Sequence, residues 1–183
     1  MRVIAGRLGG RRLDAPPGQG TRPTSDRVRE AIFSILAGVG GARVLDLYAG
    51  TGALGIEALS RGAERATFVE SAPKAIAVLR RNLTTLGLEG EARVIASRAE
   101  RAVAALAESG PYDLVLVDPP YADLDDAVML LTRLAERGAV AEGGRVVLEH
   151  ASGDGGRDVP GLTLADERRY GDTGVTIYVV APR

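Results

Sequence analysis

From residue 43 onward the chain repeats one rhythm. Short apolar runs are separated by stretches whose apolar residues recur with the helical period. The runs are Val44-Leu45-Asp46-Leu47, Thr67-Phe68-Val69-Glu70, Arg93-Val94-Ile95-Ala96, Leu114-Val115-Leu116-Val117 and Val146-Val147-Leu148. Between them, one helix passes through Ile56-Glu57-Ala58-Leu59. A second opens at Ser71 and Pro73, carries Ile76, Leu79, Leu83 and Leu86 on one face and stops at Gly87. A third carries Ala99, Val103 and Leu106, and a fourth Leu124, Val128, Leu131 and Leu134. Strands apolar throughout that alternate with helices predict a parallel sheet covered on both faces. The ending breaks the rhythm. Residues 151–161 read as a loop, and Leu162–Leu164 and Val175–Val180 follow with no room for a helix between them. Such a pair is antiparallel. The expected fold is α/β and Rossmann-like: a mostly parallel, seven-stranded sheet with an antiparallel C-terminal strand.

The N-terminus reads differently. Residues 2–13 predict a small hairpin, with Val3-Ile4 and Leu8 as apolar patches and Gly6, Gly9 and Gly10 as turns. Prolines and glycines make 14–23 a loop. Thr24 or Ser25 then caps a helix with Asp26 in its first turn. Its buried stripe is Val28, Ala31, Ile32, Ile35 and Leu36. The expected organisation is a basic extension over 1–23 and one domain over 24–183.

Composition narrows the chemistry. The 183 residues include no cysteine and one histidine, His150, which excludes thiolate metal sites, disulfides and a cysteine nucleophile. No metal is expected, and His150 reads as structural. Hydrophobic residues are 45% and charged residues 26%, as in an ordinary globular protein. No apolar run is long enough for a membrane span and no secretory signal is present, so the reading is cytoplasmic. Net charge is −1, yet residues 1–30 hold seven arginines against Asp14, Asp26 and Glu30.

Two motifs sit at strand ends. The first, Asp46-Leu47-Tyr48-Ala49-Gly50-Thr51-Gly52-Ala53-Leu54-Gly55, places G-x-G-x-x-G after a strand and before a helix, with Glu70 closing the next strand. Glycines there let the backbone approach a nucleotide, and the acid binds ribose hydroxyls. Asp46 opposes a pyrophosphate but suits a cation. That favours S-adenosylmethionine, with its sulfonium and ammonium, over a dinucleotide such as NAD. The second motif is Asp118-Pro119-Pro120-Tyr121, after the fourth strand. In an open parallel sheet ligands bind at the carboxyl ends of the strands, so Asp46, Glu70 and Asp118 converge on one crevice. The Asp118 carboxylate and the Pro119 carbonyl can hold both hydrogens of an exocyclic base amine, aiming its lone pair at a methyl donor. Tyr121 offers a face for stacking a base. The work is positioning and electrostatics, and no strong base is needed.

These motifs resemble those of class I S-adenosylmethionine-dependent amino methyltransferases. The block RVIAGRLGGRRL, then Thr21-Arg22-Pro23-Thr24-Ser25-Asp26-Arg27-Val28-Arg29-Glu30, and the late Tyr170-Gly171-Asp172-Thr173, resemble the bacterial 16S ribosomal RNA guanine-N2 methyltransferases of the RsmD type. The resemblance implies S-adenosylmethionine as cofactor, held by Asp46, Tyr48, Gly50, Gly52, Glu70, Ser71, Arg98, Ala99 and Asp118. It implies Asp118, Pro119, Pro120 and Tyr121 as the catalytic grip on the guanine amine. Many class I enzymes place Asp or Asn after the third strand to accept from the cofactor's adenine. This chain has Ser97-Arg98-Ala99-Glu100, so Ser97, a backbone carbonyl or Glu100 must take that part. Arg2, Arg7, Arg11, Arg12, Arg22, Thr24, Arg27 and Arg29 become the expected contacts to RNA, whose binding is then salt-dependent. The partner implied is 16S ribosomal RNA, within the small subunit or an assembly intermediate, and the protein is expected to be a monomer. The alternatives are an adenine-N6 methyltransferase acting on RNA or DNA, and a noncatalytic RNA-binding assembly factor on the same fold.

Overall fold

A computed structural model describes residues 1–16 and 25–182. Seven strands form one sheet: β1 (Arg43–Leu47), β2 (Arg65–Glu70), β3 (Ala92–Ala96), β4 (Tyr112–Val117), β5 (Val140–Ala151), β6 (Thr163–Tyr170) and β7 (Thr173–Val179). Their order is β3-β2-β1-β4-β5-β7-β6. The first five are parallel, β7 is antiparallel to β5, and β6 is antiparallel to β7. Five helices cover the sheet: α1 (Asp26–Leu36), α2 (Ala53–Ser60), α3 (Pro73–Thr85), α4 (Ala99–Ser109) and α5 (Leu124–Glu136). The rhythm of apolar runs therefore gave the right architecture.

Strand alternation sends neighbouring side chains to two separate cores. Val44, Phe68, Leu114 and Leu116 pack under α1, α2 and α3. Leu45, Leu47, Val69, Val115 and Val117 pack under α4 and α5. Central strands are buried on both faces for this reason, whereas β3, at the edge, is only half-buried.

Several boundaries differ from the expectation. β5 is far longer than Val146–Leu148, because it pairs with β4 on one side and β7 on the other. β6 extends through Asp166-Glu167-Arg168-Arg169; as an edge strand it is exposed and polar, so its hydrophobic signal is weak. In α1, Ser25 is the cap, its hydroxyl accepting from the Val28 N–H at 3.2 Å. The buried face is Val28, Arg29, Ile32, Phe33 and Leu36, while Ala31 and Ile35 are half-buried.

The N-terminal hairpin pairs Arg2 with Arg12, and the N–H groups of Val3, Gly10 and Leu13 donate to the Arg11, Val3 and Met1 carbonyls at 2.9, 2.8 and 2.9 Å. It shares the core of the domain: Val3, Leu8 and Leu13 are buried in the α1–α3 cluster. Three polar side chains bolt it down. The Glu57 carboxylate, wholly buried in α2, accepts from the Ile4 and Ala5 N–H groups at 2.9 and 3.1 Å. Ser60 accepts from the Leu8 N–H at 3.0 Å and donates to the Ala5 carbonyl at 2.6 Å. Asn82, buried in α3, accepts from the Asp14 N–H at 2.9 Å and donates to the Asp14 and Thr51 carbonyls, both at 3.1 Å.

Candidate active site

The strand order reverses between β1 and β4, the point at which open α/β sheets form their ligand crevice. Asp46 lies near the end of β1, Glu70 ends β2, and Asp118 directly follows β4. Asp46 and Glu70 share the alternation of Val44 and Phe68, so both point to the α1–α3 side of the sheet.

The loop after β1 is shaped by its glycines. Gly50 and Gly52 have φ of +58° and +86°, and a Cβ on Gly50 would meet only open space. A Cβ on Gly52 would lie 2.4 Å from Leu79, and one on Gly55 2.4 Å from the Phe68 ring. Gly52 and Gly55 thus let α2 settle onto the sheet, and Gly50 faces the open cradle. The Glu70 carboxylate ties the parts together: it accepts from the Gly50 N–H at 2.7 Å and from the Ser71 and Ala72 N–H groups at 2.8 and 2.9 Å. The glycine loop and the acid that closes the next strand are therefore in direct contact.

Asp46 lies beneath this loop with 1% exposure and accepts from the Gly55 N–H at 2.9 Å. Burial pushes its carboxyl well above the ordinary value, helped by the charges of Asp118 and Glu70 and opposed by the Gly55 bond. Tyr48 stands beside it in a left-handed conformation, φ +57°, with its hydroxyl buried and without a hydrogen-bond partner among the described residues. Burial, then the Glu100 charge, raises that phenol above its usual range. Ser71 is exposed. Arg98 is exposed at the start of α4, 3.8 Å from Glu100, and Ala99 is buried behind it. The Ser97 hydroxyl is turned onto the Arg98 carbonyl at 3.0 Å.

Beyond β4, Pro119 is buried, and Pro120 and Tyr121 are exposed. The Asp123 N–H takes the Pro120 carbonyl at 2.8 Å, closing a 3-10 turn over Tyr121–Asp123. No such bond reaches the Pro119 carbonyl among the described residues. Tyr121 leaves 47% of its surface free at the mouth of the crevice.

The chain also matches known proteins. A family model described as Conserved hypothetical protein 95 covers residues 1–179. The chain belongs to this family, the RsmD family. Within it, Ribosomal RNA small subunit methyltransferase D of Escherichia coli is 39% identical over 97% of this chain and 89% of its own. YlbH of Bacillus subtilis is 43% identical over 97% of this chain and 98% of its own. The solved Escherichia coli protein yhhF superposes with a TM-score of 0.86 at 34% identity, covering 100% of this chain and 99% of that one. An RNA methyltransferase of Salinibacter ruber, solved with S-adenosyl-L-homocysteine, shares the fold at 17% identity and a TM-score of 0.67, covering 88% of this chain and 95% of that one.

The arginines expected to meet RNA scatter when placed in this RsmD-family fold. Arg29 is corrected outright. It is wholly buried, donating to the Arg2 carbonyl at 2.6 Å and to Asp26 at 2.7 Å, with Nε and Nη1 unpartnered. It presents no surface to a partner, and burial lowers its pKa. Arg7 pairs with Glu91, and Arg11 donates to the Thr85 carbonyl at 3.2 Å. Both contacts lie at the far end of α3 and β3's approach, away from the crevice edge. Arg2 bonds the Gly10 carbonyl at 2.8 Å, Arg12 and Arg27 are exposed, and Arg22 and Thr24 lie outside the described residues. Sequence reading missed Glu57, Ser60 and Asn82. Their signal was present: each is polar on a helix face otherwise buried.

No helix of the described residues is long and apolar enough to cross a membrane, and none of their His, Asp and Glu side chains cluster as a metal site.

Proposed function

We propose that this RsmD-family protein transfers a methyl group from S-adenosylmethionine to the exocyclic N2 of a guanine in 16S ribosomal RNA, in the cytoplasm and as a monomer. The observation that carries the reading is the placement of Asp118-Pro119-Pro120-Tyr121 across the strand reversal from Asp46 and the Gly50–Gly52 loop. The names of the curated relatives support ribosomal RNA of the small subunit as the acceptor.

The residues present fit this cofactor. Open space over Gly50, the Glu70 carboxylate beside it and a buried carboxylate below suit a ligand with a ribose and a cationic centre and no phosphate. When bound, S-adenosylmethionine supplies an electrophilic methyl group. Glu70 would hold the ribose hydroxyls, with Ser71 at their rim, and Tyr48, Arg98 and Ala99 would border the adenine. Asp118 accepts one hydrogen of the guanine amine and the Pro119 carbonyl the other. Held so, the nitrogen is pyramidal and its lone pair faces the crevice. Tyr121 and Pro120 pack the extruded base. Transfer would break the methyl–sulfonium bond as the N–C bond forms, releasing S-adenosylhomocysteine and leaving the nitrogen cationic. Its surplus proton leaves along the hydrogen bond to Asp118 and passes to water.

The test is methyl transfer from radiolabelled S-adenosylmethionine to small subunits lacking the modification, with nucleosides identified by mass spectrometry. N2-methylguanosine is the expected product; N6-methyladenosine would replace the acceptor in this reading. Asp118→Ala is expected to abolish transfer while leaving cofactor affinity within a few-fold. A loss of affinity as large as the loss of rate would make Asp118 chiefly a cofactor ligand.

A further inference from the structure

The two helical layers of the sheet carry opposite charge. On one side, the hairpin through residue 16 holds Arg2, Arg7, Arg11 and Arg12 against Asp14. On the same side α3 holds Lys74, Arg80 and Arg81 with no acid, α1 is balanced, and α2 adds only Glu57. The side-chain charge of these elements is +5, and +3 with Arg61, Glu64, Glu89 and Glu91 in the connections between them and the sheet. On the other side, α4 holds Glu100 and Glu108 against Arg101. The 3-10 turn and α5 hold Asp123, Asp125, Asp126 and Glu136 against Arg133. These segments sum to −4, and to −2 with Arg98 and Arg137 at the ends of α4 and α5, so a chain that is nearly neutral overall is polarised across its sheet.

The cations of the positive layer are also aligned. Lys74 lies in the first turn of α3, three residues past Ser71 at the crevice. Arg81 is two turns further along the same face, with Arg80 beside it, and the Arg11 guanidinium reaches the Thr85 carbonyl at the helix end. The run follows α3 for about 20 Å, from the crevice edge to the hairpin. Arg81 is engaged by Asp14 at 2.9 Å and Arg7 by Glu91, but Lys74, Arg80 and Arg12 are exposed and in no ion pair among the described residues.

We infer that the ribosomal RNA backbone lies along α3, with Lys74 and Arg80 contacting phosphates between the crevice and the hairpin, and that the α4–α5 layer faces away from RNA. This rests on the acceptor being RNA, as proposed above. Arg7 and Arg11 of the hairpin are docked at the far end of α3, on Glu91 and the Thr85 carbonyl, and the α3 cations continue their row toward Ser71. A phosphate chain is the polyanion that matches a linear row of exposed cations, and the acidic layer repels it.

The test is the salt dependence of binding to an unmethylated 16S ribosomal RNA transcript, by filter binding in KCl from about 50 to 200 mM. Each phosphate contact contributes about 0.7–0.9 to the slope of log affinity against log salt. Lys74→Ala/Arg80→Ala is expected to lower the slope by about 1.5. Arg101→Ala/Arg133→Ala, equal in charge removed but on the acidic layer, is expected to leave it unchanged. The four residues are exposed, so thermal melting should be unaltered; Lys74→Gln/Arg80→Gln repeats the measurement with longer side chains. Equal slopes for the α3 pair and wild type, or equal drops for both pairs, would overturn the placement. Wild-type protein that binds neither the transcript nor intact small subunits would overturn the RNA reading itself, an outcome visible before any variant is compared.

Discussion

Asn82→Leu is the sharpest probe of how the hairpin is held. Asn82 is 3% exposed and makes three hydrogen bonds, two to the Asp14 backbone and one to the Thr51 carbonyl of the cofactor loop. Leucine has the same branched shape but is bulkier; it makes none of these bonds and overpacks the site at a cost of about 1 kcal/mol. At about 1 kcal/mol net per bond, the loss is about 3 kcal/mol. Burying the leucine side chain returns about 2 kcal/mol. The expected cost is therefore about 2 kcal/mol, read from urea unfolding, with a Tm lower by about 4–8 °C. The damage should be local first. Trypsin cuts after arginine, and the hairpin offers Arg2, Arg7, Arg11 and Arg12. Limited trypsinolysis of the variant should clip the hairpin while the rest of the domain stays intact. Cofactor affinity should fall as well, because Thr51 lies between Gly50 and Gly52. Asn82→Asp is expected to be worse than leucine near neutral pH, since a buried carboxylate would face two carbonyl oxygens. A stability loss under about 0.5 kcal/mol, with hairpin cleavage unchanged, would refute the clamp.

Asp46 gives a pH prediction. Its carboxyl is raised well above 3.8, so the folded protein keeps that proton to higher pH than the unfolded chain does. Stability from this site is complete below the ordinary Asp range and is lost as pH rises through the folded value. Asp46→Asn should remove that loss and melt no lower than wild type near neutral pH, while binding S-adenosylmethionine more weakly. The preference for S-adenosylmethionine over the uncharged sulfur of S-adenosylhomocysteine should grow with pH in the wild type, by calorimetry, and stay flat in the variant. Gly55→Ala drives a methyl group to 2.4 Å from the Phe68 ring and 3.0 Å from Asp46. A destabilisation of about 1–3 kcal/mol is expected, with weaker cofactor binding; unaltered melting would mean that the helix shifts freely.

The parallel core was legible because each central strand is buried on both faces and each helix shows its stripe. The glycine loop and its acid were legible because their spacing is dictated by one contact, Glu70 to Gly50. The edge strand β6 was not, since both its faces are wet and its residues follow solvent instead of packing. The role of Arg29 was misread because charge suggests surface, yet its guanidinium is buried against Arg2 and Asp26. Likewise, the hairpin's arginines indicated charge but not direction. Direction depends on Glu57, Ser60 and Asn82, which are distant in sequence and ordinary in composition.

That distance sets an order of events. The hairpin is synthesised well before its partners. Ile4 waits for Glu57, 53 residues downstream, Asp14 for Asn82, 68 downstream, and Arg7 for Glu91, 84 downstream. A two-stranded hairpin this short is at best marginally stable by itself, and its apolar side chains are buried only against α1–α3. During translation residues 1–16 lack these partners until α3 has left the exit tunnel and the turn before β3 has followed. Docking of the N-terminus is thus a late step in maturation, and it closes over the cofactor-loop helix only once the β1–α2–β2–α3 unit is in place.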